Sequence, residues 1–198
     1  MHAQKKRIKR CSWCKGDDLY QHYHDYEWGS PLYDALGLFE FLLLEGAQAG
    51  LSWITILRKR EGYRAAYDYF DAEKMARYSD KKIEKLLQNS AIVRNRLKIE
   101  SAVKNAKAFL QLRQQGVDFS QFLWQFVDGQ PIQNRWRSLD QVPASTPTSE
   151  AMSKALKKAG FNFVGSTICY AFMQATGMVN DHTTDCFRHR ECRDMAKK

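Results

Sequence analysis

Glu45 stands directly behind an apolar run, residues 41–44, and ahead of Gly46, Gly50 and Trp53. A carboxylate at the edge of an apolar segment is costly to bury unless it is paired or put to use. The two glycines permit a close backbone approach or a tight bend. Trp13, Tyr20, Tyr23 and Trp28 gather upstream. Aromatic faces stack on flat rings and attract positive charge, while an acid accepts hydrogen bonds. Together these residues suit a flat, cationic ligand. They also fit a helix end with an exposed Glu45 and tryptophans in the core, and spacing alone leaves both readings open.

Cysteine and histidine collect at the two ends of the chain: Cys11, Cys14, His22 and His24, then His182, Cys186, His189 and Cys192. Thiolate and neutral imidazole are good zinc ligands, and tetrahedral Cys2His2 sites are usually structural. His182 and Cys186 are four apart and would share a face if their segment is helical. A metal joining both ends would staple termini that otherwise fray. The spacing is not that of a single zinc finger and does not choose four ligands from eight. A local site on Cys11, Cys14 and two nearby histidines, or no site at all, fits as well.

Between residues 153 and 176 the pattern reads helix, Gly160-Phe-Asn-Phe-Val-Gly-Ser-Thr167, helix. The amides of Gly165, Ser166 and Thr167 would open the second helix, where N–H groups lack internal partners and the dipole favours an anion. Lys157 and Lys158 add charge just upstream. That arrangement grips a nucleic-acid strand without reading its sequence. An ordinary αα-hairpin with a glycine stop has the same outline.

The elements that must carry these groups are helical. Leu38, Leu42 and Glu45 share one face, and Ile54 and Leu57 begin another stripe. Ser79 caps a helix through Ile83, Leu86 and Leu87. Ile99, Val103, Ala106 and Leu110 recur at helical spacing, with Gly116 as the stop. Ser120 opens a short helix through Phe122, Leu123 and Phe126. Residues 128–149 read as a loop, holding Pro131, Pro143 and Pro147. Thr148 or Ser149 then caps a helix through Leu156 that ends at Gly160. Cys169, Phe172, Met173 and Thr176 line the next, stopped near Gly177. Few stretches alternate with period two, so the class is all-α without a large sheet.

The 198 residues suit one compact domain, and a net charge of +9 favours an anionic partner. Lys5, Lys6, Arg7, Lys9 and Arg10 make residues 1–10 a basic, flexible arm. Residues 189–198 read as a tail. The longest apolar run, residues 168–173, is far below the ~20 residues that span a bilayer, so no membrane role is expected. Five cysteines without a regular framework point to a reducing cytosol.

Six segments, in order, resemble the 3-methyladenine DNA glycosylase I family of bacterial alkylation-repair enzymes. They are Cys11-Ser-Trp13, Tyr23-His-Asp-Tyr-Glu-Trp-Gly29, Leu44-Glu-Gly-Ala-Gln-Ala-Gly-Leu-Ser-Trp53, Ser153-Lys-Ala-Leu-Lys-Lys158, Phe163-Val-Gly-Ser-Thr-Ile-Cys-Tyr170 and Val179-Asn-Asp-His182. The resemblance implies a helix-hairpin-helix glycosylase fold over residues 11–188, with the hairpin element at about 149–177. It implies one structural zinc on Cys11, His24, His182 and Cys186, leaving Cys14, His189 and Cys192 outside the pattern. It implies that Glu45 and Tyr23 hydrogen-bond the excised base, that Trp53 stacks on it, and that Trp13 and Tyr20 complete the wall. Gly165, Ser166, Thr167 and Lys158 would hold the DNA strand, and Leu51 would fill the vacated stack. The substrate would be double-stranded DNA carrying an alkylated adenine, handled by a monomer in the bacterial cytosol. Asp181 invites confusion with the catalytic aspartate of other helix-hairpin-helix glycosylases, which this family lacks. The hairpin has no lysine where glycosylase-lyases keep their amine, so a monofunctional hydrolysis is expected. The alternatives are a glycosylase for another alkylated purine and a non-catalytic, zinc-stapled DNA-binding module.

Overall fold

A computed structural model describes residues 8–196. Lys5, Lys6 and Arg7 of the expected arm lie outside the described residues. Arg10 is tied to Asp25 at 2.7 Å, and Lys9 to Asp185 at 2.5 Å.

The chain runs through α1 (Asp18–Tyr26), α2 (Ala35–Gln48), α3 (Trp53–Ala66), α4 (Ala72–Met75), α5 (Asp80–Leu87), α6 (Arg96–Gln114) and α7 (Phe119–Trp124). It then passes β1 (Ile132–Gln133), α8 (Pro147–Lys158), α9 (Ser166–Ala175), β2 (Val179–Asn180) and α10 (Phe187–Met195). The two strands pair in parallel, Ile132 with Val179, and form the whole sheet among the described residues. The all-α reading therefore holds. Among the described residues no helix is long and apolar enough to cross a membrane.

The core forms around α2. Leu38, Phe39, Phe41, Leu42, Leu43 and Leu44 are all buried, so this helix is apolar nearly all round, as a central helix must be. It packs on α3, α6 and α9. Because Glu45 follows in the same buried helix, its carboxylate is carried into the interior by its neighbours.

Local signals placed several boundaries. Ser79 caps α5, accepting from the Lys82 amide. Gly116 (φ +75°) and Gly160 (φ +94°) follow α6 and α8 in the left-handed conformation that ends a helix. Two caps fall elsewhere. Asp118, not Ser120, opens α7 by accepting from the Gln121 amide at 2.8 Å; a carboxylate is the stronger acceptor and also favours the helix dipole. Thr146, not Thr148 or Ser149, caps α8, because Pro147 fits the first helical position and Ser149 closes a capping box. The segment read as a loop holds β1, and residues 189–195, read as tail, lie in α10 with Cys192 buried.

Gly62 lies inside α3, where alanine would ordinarily be favoured by about 1 kcal/mol. A Cβ there would sit 2.3 Å from the Ala91 carbonyl oxygen, so only glycine lets α3 meet this loop. Gly62→Ala should destabilise the protein by about 1–3 kcal/mol net of propensity. A lower urea midpoint is the expected reading, and an unchanged or higher one contradicts the contact.

Candidate active site

A cavity of about 380 Å3 opens between α1, α2 and α3 on one side and α9 with residues 139–144 on the other. Helix α1 is capped by Asp17 and presents Tyr20 and Tyr23, three apart on one face. Helix α2 presents Glu45 and Gln48 in the same way. Trp53 is the first residue of α3, and Trp13 and Trp28 complete the aromatic side. The structure thus brings Glu45, Tyr23, Trp53, Trp13 and Tyr20 to one cavity.

Glu45 is 3% exposed, and no hydrogen bond or ion pair to its carboxylate is found among the described residues. Burial alone pushes its pKa up to about 8. Burial, then the nearby Glu45, raises Tyr23 well above the ordinary phenol value and shifts Tyr20 the same way, so both remain neutral donors. Tyr23 and Trp53 have ring centroids 5.5 Å apart; Trp13 meets Tyr20 edge-on at 4.7 Å and Trp28 at 5.1 Å. The indole N–H of Trp53 is buried without a partner among the described residues. Behind it Phe41 lies nearly parallel at 6.4 Å, and the Arg60 guanidinium covers Phe41 at 5.0 Å. Arg60 is itself held by Glu27 at 2.5 Å and Glu40 at 3.1 Å. A buried acid without a partner among the described residues, facing aromatic rings, has the chemistry to attract a flat cation.

Several contributors escaped the sequence reading. Lys98 donates to the carbonyls of Ala47 and Ala49 at 2.8 and 2.6 Å, satisfying the exposed end of α2. It thereby fixes the turn through Gly50 to Leu51, whose side chain is 40% exposed. Gln174 and residues 139–144 line the cavity without any motif to mark them, and Gln48 and Tyr170, which lie inside recognised segments, line it without having been assigned a role. Asp181 also reaches the cavity. It accepts from Tyr170 (2.7 Å), Gln174 (2.8 Å), Asn134 (2.6 Å) and Trp136 (2.8 Å). A carboxylate with four donors has its lone pairs committed, so Asp181 braces the wall and has none left to activate water.

Cys11, His24, His182 and Cys186 form a buried group whose ligand atoms lie within 4.8 Å of one another and could hold a metal ion. Residues 181–186 are not helical; a turn closed by the Cys186 amide on the Thr183 carbonyl brings His182 and Cys186 together. Sulfur–nitrogen separations are 3.4–3.6 Å. A tetrahedron with zinc–sulfur and zinc–nitrogen bonds of ordinary length has such edges at about 3.5 Å. Each imidazole is oriented through its other nitrogen, His24 by Asp25 at 2.8 Å and His182 by the Trp28 carbonyl at 3.0 Å. Burial lowers the His182 pKa and keeps the ring neutral, the form that ligates. His24 and His182 also back the cavity, with Trp13 5.3 Å from His24 and Trp28 4.6 Å from His182. Cys14 instead donates to the Cys11 carbonyl, and His189 contacts the Asn134 carbonyl.

Helices α8 and α9 pack as a pair. Their connection is pinned by Asn105, which exchanges two hydrogen bonds with the Asn162 backbone, and by Ser153 on the Val164 carbonyl at 2.6 Å. Gly165 starts α9 with no side-chain cap, leaving the amides of Ser166 and Thr167 open. Thr167 is exposed and borders the cavity, and Lys158 is exposed nearby in sequence. Phe163 (φ +54°) turns its carbonyl onto Gly46, where a Cβ would come within 3.3 Å. The connection is thus seated directly on the helix that carries Glu45.

A family model described as methyladenine glycosylase matches residues 13–189. The chain is 51% identical over 179 residues to DNA-3-methyladenine glycosylase 1 of Escherichia coli K12, covering 90% of this chain and 96% of that protein. It resembles a crystal structure of a 3-methyladenine DNA glycosylase I with a TM-score of 0.89 at 55% identity, covering 90% of this chain and 98% of the other. It also resembles a tyrosine-to-phenylalanine variant of such an enzyme in complex with 3-methyladenine, with a TM-score of 0.87 at 37% identity over 91% of this chain and 97% of the other.

Proposed function

The chain belongs to the methyladenine glycosylase family, and from that premise we propose that it excises 3-methyladenine from alkylated DNA by hydrolysing the N-glycosidic bond. The observation that carries this reading is the buried, unpartnered Glu45 carboxylate facing an aromatic cavity. Methylation at N3 leaves the adenine positively charged. Such a base weakens its own bond to the sugar, and little acid catalysis is then required.

The damaged nucleotide is extruded from the duplex at a cost of a few kcal/mol, less than for an intact pair. Glu45 accepts from the adenine edge, Tyr23 orients it, Trp53 stacks on its face, and Trp13 and Tyr20 close the wall. Leu51, exposed on its turn, fills the vacated stack. Gly165, Ser166 and Thr167 present amides to a phosphate, with Lys158 adding charge. The bond between the sugar and the base breaks with its electron pair moving onto the base, which leaves neutral. A water oxygen takes its place at the sugar carbon and loses a proton to solvent. The pocket's electrostatics and the strand's own negative charge assist.

Residues Cys11, His24, His182 and Cys186 would hold one zinc ion, which supplies a structural tie between the chain's ends and no part of the hydrolysis. The enzyme acts on double-stranded DNA, as a monomer, in the cytosol.

Release of free 3-methyladenine from methylated duplex tests the reading. Expected is release of that base in preference to 7-methylguanine or uracil, and no release would overturn it. The segment Phe161-Asn-Phe-Val-Gly-Ser-Thr167 holds no lysine, so no Schiff base forms. Borohydride should trap no covalent adduct with abasic DNA; a strong adduct would refute the monofunctional assignment.

A further inference from the structure

The segment that borders the base cavity at residues 139–144 also lines, at residues 133–135, a second cleft of about 360 Å3 against α10. Arg135, Arg190, Arg193 and His189 face this cleft, together with Asn134 and Thr184. Asn134 belongs to both places, because its amide nitrogen donates to Asp181 of the base cavity. Arg135 is exposed, and no ion pair to it is found among the described residues. Arg190 and Arg193 share one carboxylate, Asp194, at 3.8 and 3.4 Å. Three guanidinium groups against one acid leave an excess of positive charge.

The walls are locked together. His189 donates to the Asn134 carbonyl at 2.8 Å, and Asn180 donates to the His189 carbonyl and to Gln133, both at 2.9 Å. The cleft therefore exists before any ligand arrives. Arg190 and Arg193 fall past residue 189, where the family match ends, and neither the cavity nor the metal group uses them.

We propose that this cleft is a second DNA contact, holding the phosphodiester backbone beyond the flipped nucleotide. The inference rests on the glycosylase reading above. Guanidinium forks match phosphate oxygens in pairs, and one continuous segment, residues 133–144, lines both the cleft and a wall of the base cavity. Each phosphate neutralised adds about 0.9 to the slope of log affinity against log salt.

The test uses the full chain and duplexes carrying a non-hydrolysable abasic analogue, either ending just past the lesion or extended on each side in turn. The wild type should gain affinity on extension to one side. The R135A/R190A/R193A variant should lose that gain, with a salt slope lower by about 2–3, and its excision defect should fall on KM while kcat holds. Lysine at the three positions should restore most of the slope, which a merely structural role would not allow. Should the triple variant fail to fold, Arg135→Ala alone should lower the slope by about 1. Wild-type slope and affinity in the variants would overturn the proposal and leave the cleft to an acidic protein surface. Absence of base release by the wild type would instead sink the glycosylase reading, whatever the slopes.

Discussion

Glu45→Gln is expected to cut excision of 3-methyladenine by about 100-fold, the loss of one charged hydrogen bond, and to make the protein more stable at pH 8.5. The two effects have one cause. In the unfolded chain this carboxyl ionises near its ordinary value of 4.5, whereas in the fold burial holds it neutral to about 8. The folded state thus binds the extra proton between these values, and stability falls as pH rises through that window. The penalty is absent below pH 4.5 and complete above pH 8, where it amounts to about 3–5 kcal/mol. Glutamine removes it. Urea midpoints should coincide near pH 4 and separate in favour of the variant toward pH 8.5; a gap that does not change with pH would contradict burial of the carboxylate as the cause. The same titration governs binding. A cationic base draws the proton off Glu45, so its affinity should rise with pH up to about 8 and level off beyond.

Removing the proposed zinc should be the more damaging intervention. Cys11 and His24 on one side and His182 and Cys186 on the other are separated by more than 150 residues and meet in one buried group. Metal analysis should find about one zinc per chain. A chelator, or Cys186→Ser, should cost more than about 4 kcal/mol, the range reserved for losing a metal or a buried network. Because the rings of Trp13 and Trp28 rest on the two histidines, base affinity should fall before global unfolding, followed by tryptophan fluorescence. A metal-free preparation of unchanged stability would overturn the assignment.

What could be read from residues in order was whatever is decided locally. Ser79 and the glycines after α6 and α8 act within one turn of the elements they bound, and the face of α2 through Leu38 and Leu42 is visible in the spacing. The caps at Asp118 and Thr146 lie two or three residues ahead of the positions that spacing suggests, because several acceptors compete there and the dipole and Pro147 decide between them. Choosing four metal ligands from eight was beyond spacing, since His182 and Cys186 converge through a turn and not along a helix. The supports of the site were hidden for the same reason. Lys98 serves carbonyls about fifty residues away, and Arg60 backs the pocket from behind Phe41. The aromatic set with Glu45 was visible as a collection, but that its carboxylate has no partner among the described residues is a property of the packing.

The meeting of the chain's two ends also imposes an order on its making. Trp13 and Trp28 are seated by His24 and His182, and the Lys9 carbonyl is bonded by the amide of Phe187. A nascent chain still tethered to the ribosome by its last residues has α1, α2 and α3 already in hand, yet lacks the pieces that close the wall. On the proposed function, lesion recognition should therefore be the last property to arise during synthesis, and a product cut short before residue 186 should fail to bind 3-methyladenine even where its first helices have folded.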